Sequence, residues 1–356
     1  MMILRFAMAC LLALASAHPA LADYEESVFF RKVVPSYSIP TPVKGGGSDT
    51  VIGQVRAYRI RKGDTLLDVA RYFSLGWNEI IDANPYIDPW VPPAGSTILL
   101  PTEWVLPCCT YEGVVVNIPE MRLFFFQRSK DNPGTTVVYT YPVGLGRDDW
   151  RTPTGKFKIR GKTLNPQWNI PESIRKEHIA DRGDSRTFIA GGDPENPLGR
   201  HRIELTLPMY GIHGTNIPWG VGMQVSHGCV RLYPEDIERL FPLVPIGAPG
   251  EFAYQPVKVG LRGGAVYVEA HRDIYGHAPA QYREAVAAFS RAGLADRVDQ
   301  QALLRALEDG YGMPIRLTPE PSEPAVAPVN SVQADAPREI DDGRVPPQND
   351  GQAADD

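Results

Sequence analysis

One stretch of the chain concentrates side chains capable of chemistry. From Tyr210 to Leu232 it reads Tyr-Gly-Ile-His-Gly-Thr-Asn-Ile-Pro-Trp-Gly-Val-Gly-Met-Gln-Val-Ser-His-Gly-Cys-Val-Arg-Leu, and it holds His213, His227 and Cys229. A cysteine thiolate is intrinsically a strong nucleophile, and an imidazole within reach can take the thiol proton. Glycines at 211, 214, 220, 222 and 228 permit close backbone approach and positive φ around such a pair. Spacing alone leaves two other readings open. A lone cysteine is also a small apolar residue suited to packing. His213, His227 and Cys229 are all metal-ligand types, although they lack a fourth ligand and the paired spacing of zinc sites. There is no HExxH pattern and no Gly-rich phosphate loop before a helix, so no metal or organic cofactor is implied.

A His–Cys pair sixteen positions apart needs a rigid frame, and the flanking sequence supplies short strands. Val114 to Ile118 and Arg122 to Phe126 flank Pro119-Glu120, a hairpin signal. Thr135 to Val143 follows the turn Asp131-Asn-Pro-Gly134, and Lys156 to Ile159 continues the series. Strands recur between turn residues as far as Val268, which predicts a mainly β sandwich or barrel. Ala280 to Leu307 instead carries Val286, Phe289 and Leu294, then Leu303, Leu304 and Leu307, predicting two helices packed on the β domain. Upstream, Tyr58 to Pro101 reads as strand, helix, helix, strand. Thr65-Leu-Leu-Asp68 has the capping-box form, and Leu66, Val69, Ala70 and Phe73 share one helical face. A second helix fits Trp77 to Ala83, Asn84-Pro85 stops it, and Ser96 to Leu100 closes the unit.

The net charge of −6 is unevenly spread. From Thr318 to Asp356 nine acidic residues face only Arg338 and Arg344, so this Pro-rich tail carries −7 and is expected to be disordered. With Arg5 the lone charge in the first 22 residues, the body is neutral, which argues against nucleic-acid binding through a basic surface. Arg5, the apolar run Phe6 to Ala17 and Ala20-Leu-Ala22 form a signal-peptide pattern, and the run is too short to span a bilayer. The mature protein is therefore expected outside the cytoplasm, without a transmembrane segment. Cys10 leaves with the signal, and the odd number remaining (Cys108, Cys109 and Cys229) points to a free thiol. The expected organisation is a signal peptide over 1–22, a leader over 23–56 and the small unit over 57–102. The β domain follows over 110–271, then a helical extension over 272–317 and the tail over 318–356.

Ser226-His-Gly-Cys-Val-Arg231, preceded by Ile212-His-Gly-Thr215, resembles the signature of the YkuD-type L,D-transpeptidase catalytic domain. Asn117 to Leu123, Arg151-Thr-Pro-Thr-Gly-Lys-Phe157, Asn165-Pro-Gln-Trp168 with Pro171-Glu-Ser-Ile174, and Asn196-Pro-Leu-Gly199 extend the resemblance from Gly113 to His271. It implies a YkuD-like β-sandwich with peripheral helices, acting on peptidoglycan stem tetrapeptides without a cofactor. By the same resemblance Cys229 attacks the bond between diaminopimelate and D-alanine and forms a thioester. His213 is the general base, oriented by the Gly214 carbonyl. His227, with the N–H groups of Gly228 and Cys229, lines an oxyanion hole, and Ser226 fixes the loop. Arg231 holds a substrate carboxylate or makes a structural ion pair; Tyr210 and Trp219 shape the pocket or belong to the core. The acceptor is a second diaminopimelate amine, giving a 3–3 crosslink, or the lysine of an outer-membrane lipoprotein. With water as acceptor the enzyme is an L,D-carboxypeptidase or amidase.

The unit over 57–102 resembles a LysM domain through Tyr58-Arg-Ile-Arg-Lys-Gly-Asp-Thr-Leu66, Ala70, Ile80-Ile81, Asn84-Pro85 and Ile98. That resemblance implies a βααβ fold that binds wall glycan strands between two loops, with Gly63, Asp64, Thr65, Asn84 and Pro85 at the contact. A LysM that serves structure alone is the alternative. LysM followed by this catalytic domain resembles periplasmic enzymes of Gram-negative bacteria. A non-catalytic, wall-binding protein is the competing function.

Overall fold

The computed structural model describes residues 35–41, 49–108, 111–277 and 281–318. The expected signal peptide, much of the expected leader, Cys109 and the tail after Thr318 lie outside the described residues.

Nine strands form the largest sheet. In chain order they are β1 (Ser36–Pro40), β2 (Gly113–Asn117), β3 (Arg122–Arg128), β4 (Thr135–Pro142), β5 (Gly155–Leu164), β6 (His201–Leu205), β7 (Gly211–His213), β8 (Val230–Arg231) and β9 (Pro249–Ala253). Their spatial order is β1-β4-β3-β2-β9-β5-β6-β7-β8. Pairing is antiparallel except between β2 and β9 and between β7 and β8. The architecture is thus mainly β around one large mixed sheet, consistent with the YkuD-like fold expected for 110–271.

Two segments of the expected leader are strands instead. β1 pairs along Thr135 to Tyr139 of β4, with Ile39 buried, and Val51–Gly53 pairs with Glu103–Val105. Each is too short and too close to Pro or Gly to show a period of two in sequence. What orders them is tertiary: an open sheet edge and a buried apolar face.

The central strands are buried on both faces, which explains why Val-Val-Val and Phe-Phe-Phe run without alternation. Side chains of successive residues still point to opposite faces. Val114, Val116, Leu123 and Phe125 enter one core with Phe157, Ile203, Ile212 and Val230. Val115, Phe124, Phe126 and Val138 enter a second core, which they share with the small upstream unit. That unit contains Arg56–Arg59, helix α1 (Leu66–Tyr72), helix α2 (Trp77–Ala83) and Thr97–Leu100, with its two strands paired antiparallel. Thr65 caps α1 by accepting from the Asp68 N–H at 3.1 Å.

A buried ion pair fastens the unit to the sheet. Arg122 donates from Nε and Nη2 to Glu79 at 2.9 and 2.6 Å, and Trp104 Nε1 donates to the same carboxylate at 2.9 Å. Because these partners satisfy both oxygens, the pair avoids the uncompensated desolvation that makes isolated buried charges costly. Further connections come from Asn78 Nδ2 to the Glu120 carbonyl and from the Tyr233 hydroxyl to the Leu75 carbonyl.

Helix α3 (Glu172–Arg182) packs through Ile174 on Ile170 and Ile189. Helix α4 (Pro234–Leu243) places Ile237 and Leu240 in the first core. Beyond the main sheet, Val257–Arg262, Ala265–Ala270 and Ile315–Arg316 form a three-stranded sheet. Helices α5 (Gln281–Ala292) and α6 (Gln300–Asp309) cover it through Phe289, Leu303 and Leu307.

Candidate active site

The site lies where β7 meets β8 at one edge of the sheet. Their parallel register sets Ile212 opposite Val230 and His213 opposite Arg231. Ile212 and Val230 are fully buried in the core, so the alternate positions share the other face. Gly211 and His213 stand there on one strand, with Cys229 and Arg231 beside them. Extending that register puts Cys229 diagonal to His213 on this face. Sixteen residues of loop return the chain to this edge, and only the parallel pairing brings the thiol and the imidazole onto one face.

His213 is 2% exposed, and its Nδ1 lies 2.7 Å from the Gly214 carbonyl oxygen. A carbonyl only accepts, so Nδ1 carries the hydrogen and Nε2 holds the free lone pair. Burial, reinforced by the positive charges of Arg231 and Arg202, pushes the imidazole pKa down to about 3 against the Gly214 hydrogen bond. The ring is therefore neutral at pH 7, with a proton-accepting nitrogen. Burial also pushes the Cys229 thiol up, opposed by a backbone hydrogen bond from Gly211 and by Arg202 and Arg231. Both groups are therefore neutral at rest, and the thiol donates to the Met209 carbonyl at 3.6 Å.

The turn bearing the thiol is braced from several directions. Ser226 Oγ donates to the Cys229 carbonyl at 2.6 Å and accepts the Gly228 N–H at 3.1 Å. That N–H, expected among the oxyanion donors, is therefore used inside the turn, which folds tightly enough for the serine to reach it. Gly228 has φ +99°, and a Cβ there would lie 2.7 Å from Tyr210 Cε1. Only glycine meets both conditions. Thr152 Oγ1 donates to the Gly228 carbonyl at 3.0 Å and accepts the Gly146 N–H, while the Tyr275 hydroxyl donates to the Gly146 carbonyl at 2.6 Å.

His227, expected in the oxyanion hole, has Nε2 3.0 Å from Glu177 Oε2, and its ring stands edge-to-face with Trp150. Arg147 and His227 hold the Glu177 carboxyl down at about 2. A permanent anion on α3 thus fixes the orientation of His227. Of the other expected residues, Arg231 is partly buried and makes no ion pair among the described residues, and its Nε has no hydrogen-bond partner. Tyr210 packs at the margin of the core, and Trp219 is 55% exposed.

In the upstream unit Asp64 accepts from the Tyr58 hydroxyl and the Arg61 N–H, and Thr65 caps α1. Asn84 is buried, with its amide bonded to the Ile80 and Leu99 backbones. These three side chains are occupied internally, whereas Gly63 and Pro85 are exposed. The Leu66 N–H bonds the Pro89 carbonyl, which sets the two loops side by side.

Glu177, Arg147, Trp150, Tyr275 and Arg202 were not foreseen in sequence. Glu177 and Arg147 lie far from the turn along the chain and carry no local motif; Thr152 alone sat in a stretch already singled out. Glu120, Glu269 and His271 bring potential ligand atoms within 4.8 Å of one another. The Lys258 ammonium, however, lies 2.7 Å from Glu120 and 2.9 Å from Glu269 and already supplies a cation there.

The YkuD family, described as the L,D-transpeptidase catalytic domain, matches residues 112–259. The Escherichia coli (strain K12) protein named Probable L,D-transpeptidase YbiS is 32% identical over 302 residues, covering 82% of this chain and 95% of that protein. Probable L,D-transpeptidase YcfS of the same strain is 34% identical over 68% of this chain and 75% of its own length. Probable L,D-transpeptidase ErfK/SrfK of Salmonella typhimurium (strain LT2) is 29% identical over 82% of this chain and 95% of its own length. With this similarity over most of its length, the chain belongs to the L,D-transpeptidase family, which acts on peptidoglycan, and is an enzyme of that kind.

Proposed function

We propose that Cys229 is the acylated nucleophile of a peptidoglycan L,D-transpeptidase. The donor is a stem tetrapeptide. His213 Nε2 takes the thiol proton as sulfur attacks the diaminopimelate carbonyl, and the tetrahedral intermediate collapses to a thioester as D-alanine leaves with that proton. An amine then attacks the thioester, either a second diaminopimelate or the lysine of an outer-membrane lipoprotein. The Cys229 N–H and His227 stabilise the oxyanion, and Arg231 holds a substrate carboxylate. The observation that carries this reading is the shared face of β7 and β8, where a neutral His213 tied to the Gly214 carbonyl stands diagonal to Cys229.

The test is intact-protein mass spectrometry with a tetrapeptide stem or a carbapenem, comparing wild type and Cys229→Ala. A covalent adduct in wild type alone supports the reading; no adduct on freshly reduced wild type refutes it. Muropeptide analysis with and without lipoprotein then identifies the acceptor.

For the unit over 57–102 the reading is a LysM domain that holds glycan strands, in an enzyme exported to the periplasm. Its strand-helix-helix-strand order and paired loops support this reading. Contact then falls to the backbone of Gly63, to Pro85 and to the exposed Tyr86 and Trp90, since Asp64, Thr65 and Asn84 are engaged internally. Unchanged cosedimentation of Tyr86→Ala/Trp90→Ala with purified sacculi would reject that contact surface.

A further inference from the structure

A second arginine stands beside the thiol, on a strand outside the signature stretch. Arg202 of β6 lies directly opposite His213 in antiparallel register, and Arg231 of β8 lies opposite His213 on its other side. Directly paired residues share a face, so Arg202, His213 and Arg231 form a row across three strands. The Arg202 guanidinium leans over Gly211: Nε and Nη2 lie 3.4 and 3.9 Å from where a Cβ on that glycine would stand. Extending the β7–β8 register puts Cys229 beside Gly211. The thiol is therefore flanked by Arg231 on its own strand and by Arg202 across a glycine that leaves room for it.

Neither arginine is neutralised. The Nε atoms of both are buried without a hydrogen-bond partner, and among the described residues neither makes an ion pair. Arg147, the next cation, differs in pairing with Glu177 and Asp149. Two buried guanidinium donors without acceptors are costly unless an anion meets them in the working complex. Guanidinium forks suit a carboxylate, which they hold in a fixed orientation.

We propose that Arg202 and Arg231 form a carboxylate clamp astride Cys229, with Arg202 a specificity-determining residue that selects donors bearing a free carboxylate next to the scissile bond. The inference rests on the reading that a peptide stem acylates Cys229. Two groups of such a stem have the required chemistry: the terminal carboxylate of the leaving D-residue and the carboxylate on the diaminopimelate side chain. Held by either, the scissile carbonyl is presented to the sulfur at a fixed distance from the clamp.

The experiment measures acyl-enzyme formation by mass spectrometry on the full chain, comparing wild type, R202Q and R202K. Three donors are used: a tetrapeptide stem with a terminal carboxylate, the same stem with a terminal carboxamide, and a stem with lysine replacing diaminopimelate. Wild type should prefer whichever donor retains the carboxylate that is read, by about ten- to a hundredfold. R202Q should lose that preference and fall to the rate of the donor lacking the group. R202K should recover part of it, because it keeps the charge but not the fork. The donor whose removal of a carboxylate mimics R202Q identifies the group. Iodoacetamide labelling of Cys229 and a cooperative unfolding transition show that R202Q is folded and its thiol accessible, whatever its rate with peptide or carbapenem. Equal loss on all three donors, or no loss, overturns the clamp while leaving the function intact. Failure of every donor and of the carbapenem to acylate wild type overturns the functional reading and the clamp with it.

Discussion

The resting charge state of the Cys229–His213 pair gives the sharpest test of the site. In an imidazolium–thiolate pair the sulfur is ionised well below neutral pH and its reactivity is flat from about pH 5 upward. Here burial holds His213 at about 3, and burial also raises the thiol above its usual value near 9. At pH 7 Cys229 is then held as the neutral thiol. Alkylation by iodoacetamide should lie far below its alkaline plateau at pH 7 and climb about tenfold per pH unit between 6 and 9. The assay is peptide-resolved mass spectrometry of timed alkylation, which separates Cys229 from the exposed free thiol of Cys108. His213→Gln should preserve this slope, since the ring contributes no charge at rest, yet it should slow acylation by peptide donors by about 10²–10⁴. A rate plateau already reached at pH 5 to 6, or thiolate absorbance at pH 7, would refute the neutral pair and the burial argument behind it.

Three further outcomes follow from the same structure. Lys258→Met strands the buried carboxylates of Glu120 and Glu269 and should cost about 3–5 kcal/mol in urea denaturation, with part regained in Lys258→Met/Glu120→Gln. Gly228→Ala places a methyl against Tyr210 in a backbone region that disfavours it. It should slow acylation at least tenfold and cost about 1–3 kcal/mol in urea denaturation; an unchanged rate would show the turn to be more forgiving than its geometry. Because the folded pKa of His213 is depressed while the unfolded value is near 6.5, the unfolded chain binds the extra proton between about pH 3 and 6.5. Stability should therefore rise with pH across that window, by at most about 4–5 kcal/mol from this group, and His213→Gln should flatten the rise in pH-dependent denaturation.

Legibility in the sequence tracked how local each signal was. The strands at Gly113–Asn117 and Arg122–Arg128, the helix capped by Thr65 and the two helices after Ala280 all announce themselves within a few residues. His213 and Cys229 stood out through the resemblance of Ile212–Thr215 and Ser226–Arg231 to the L,D-transpeptidase signature, because residue types, spacing and glycines alone left packing and metal binding open. Ser36–Pro40 was not visible, because an edge strand flanked by proline is fixed by its partner rather than by its own pattern. The bracing of the turn was hidden for a related reason. Glu177 sits 50 residues from His227 and Thr152 sits 76 from Gly228, so nothing local relates them. Arg202 reads as one polar residue in an alternating strand, and its meaning comes only from lying opposite His213 across the sheet.

The upstream unit is better understood as part of the site's frame than as an independent tether. Its core is not its own: Leu66, Phe73 and Ile80 close over Phe124, Phe126 and Val138 of the main sheet. Its Glu79 neutralises Arg122, which is fully buried in β3. Its second helix begins against the loop that joins His213 to Cys229. There the Trp77 N–H donates to the Val221 carbonyl at 3.1 Å, and a Cβ on Gly222 would lie 2.2 Å from the Trp77 nitrogen. Removing residues 57–102 would uncover an apolar face, strand a buried guanidinium and free one side of the active-site loop. Loss of activity on such a deletion therefore says nothing about glycan binding. Tyr86→Ala leaves those contacts standing, whereas the Trp90 ring also packs on Trp77 with centroids 5.2 Å apart, so Tyr86→Ala alone is the cleaner separation of holding the wall from holding the enzyme together.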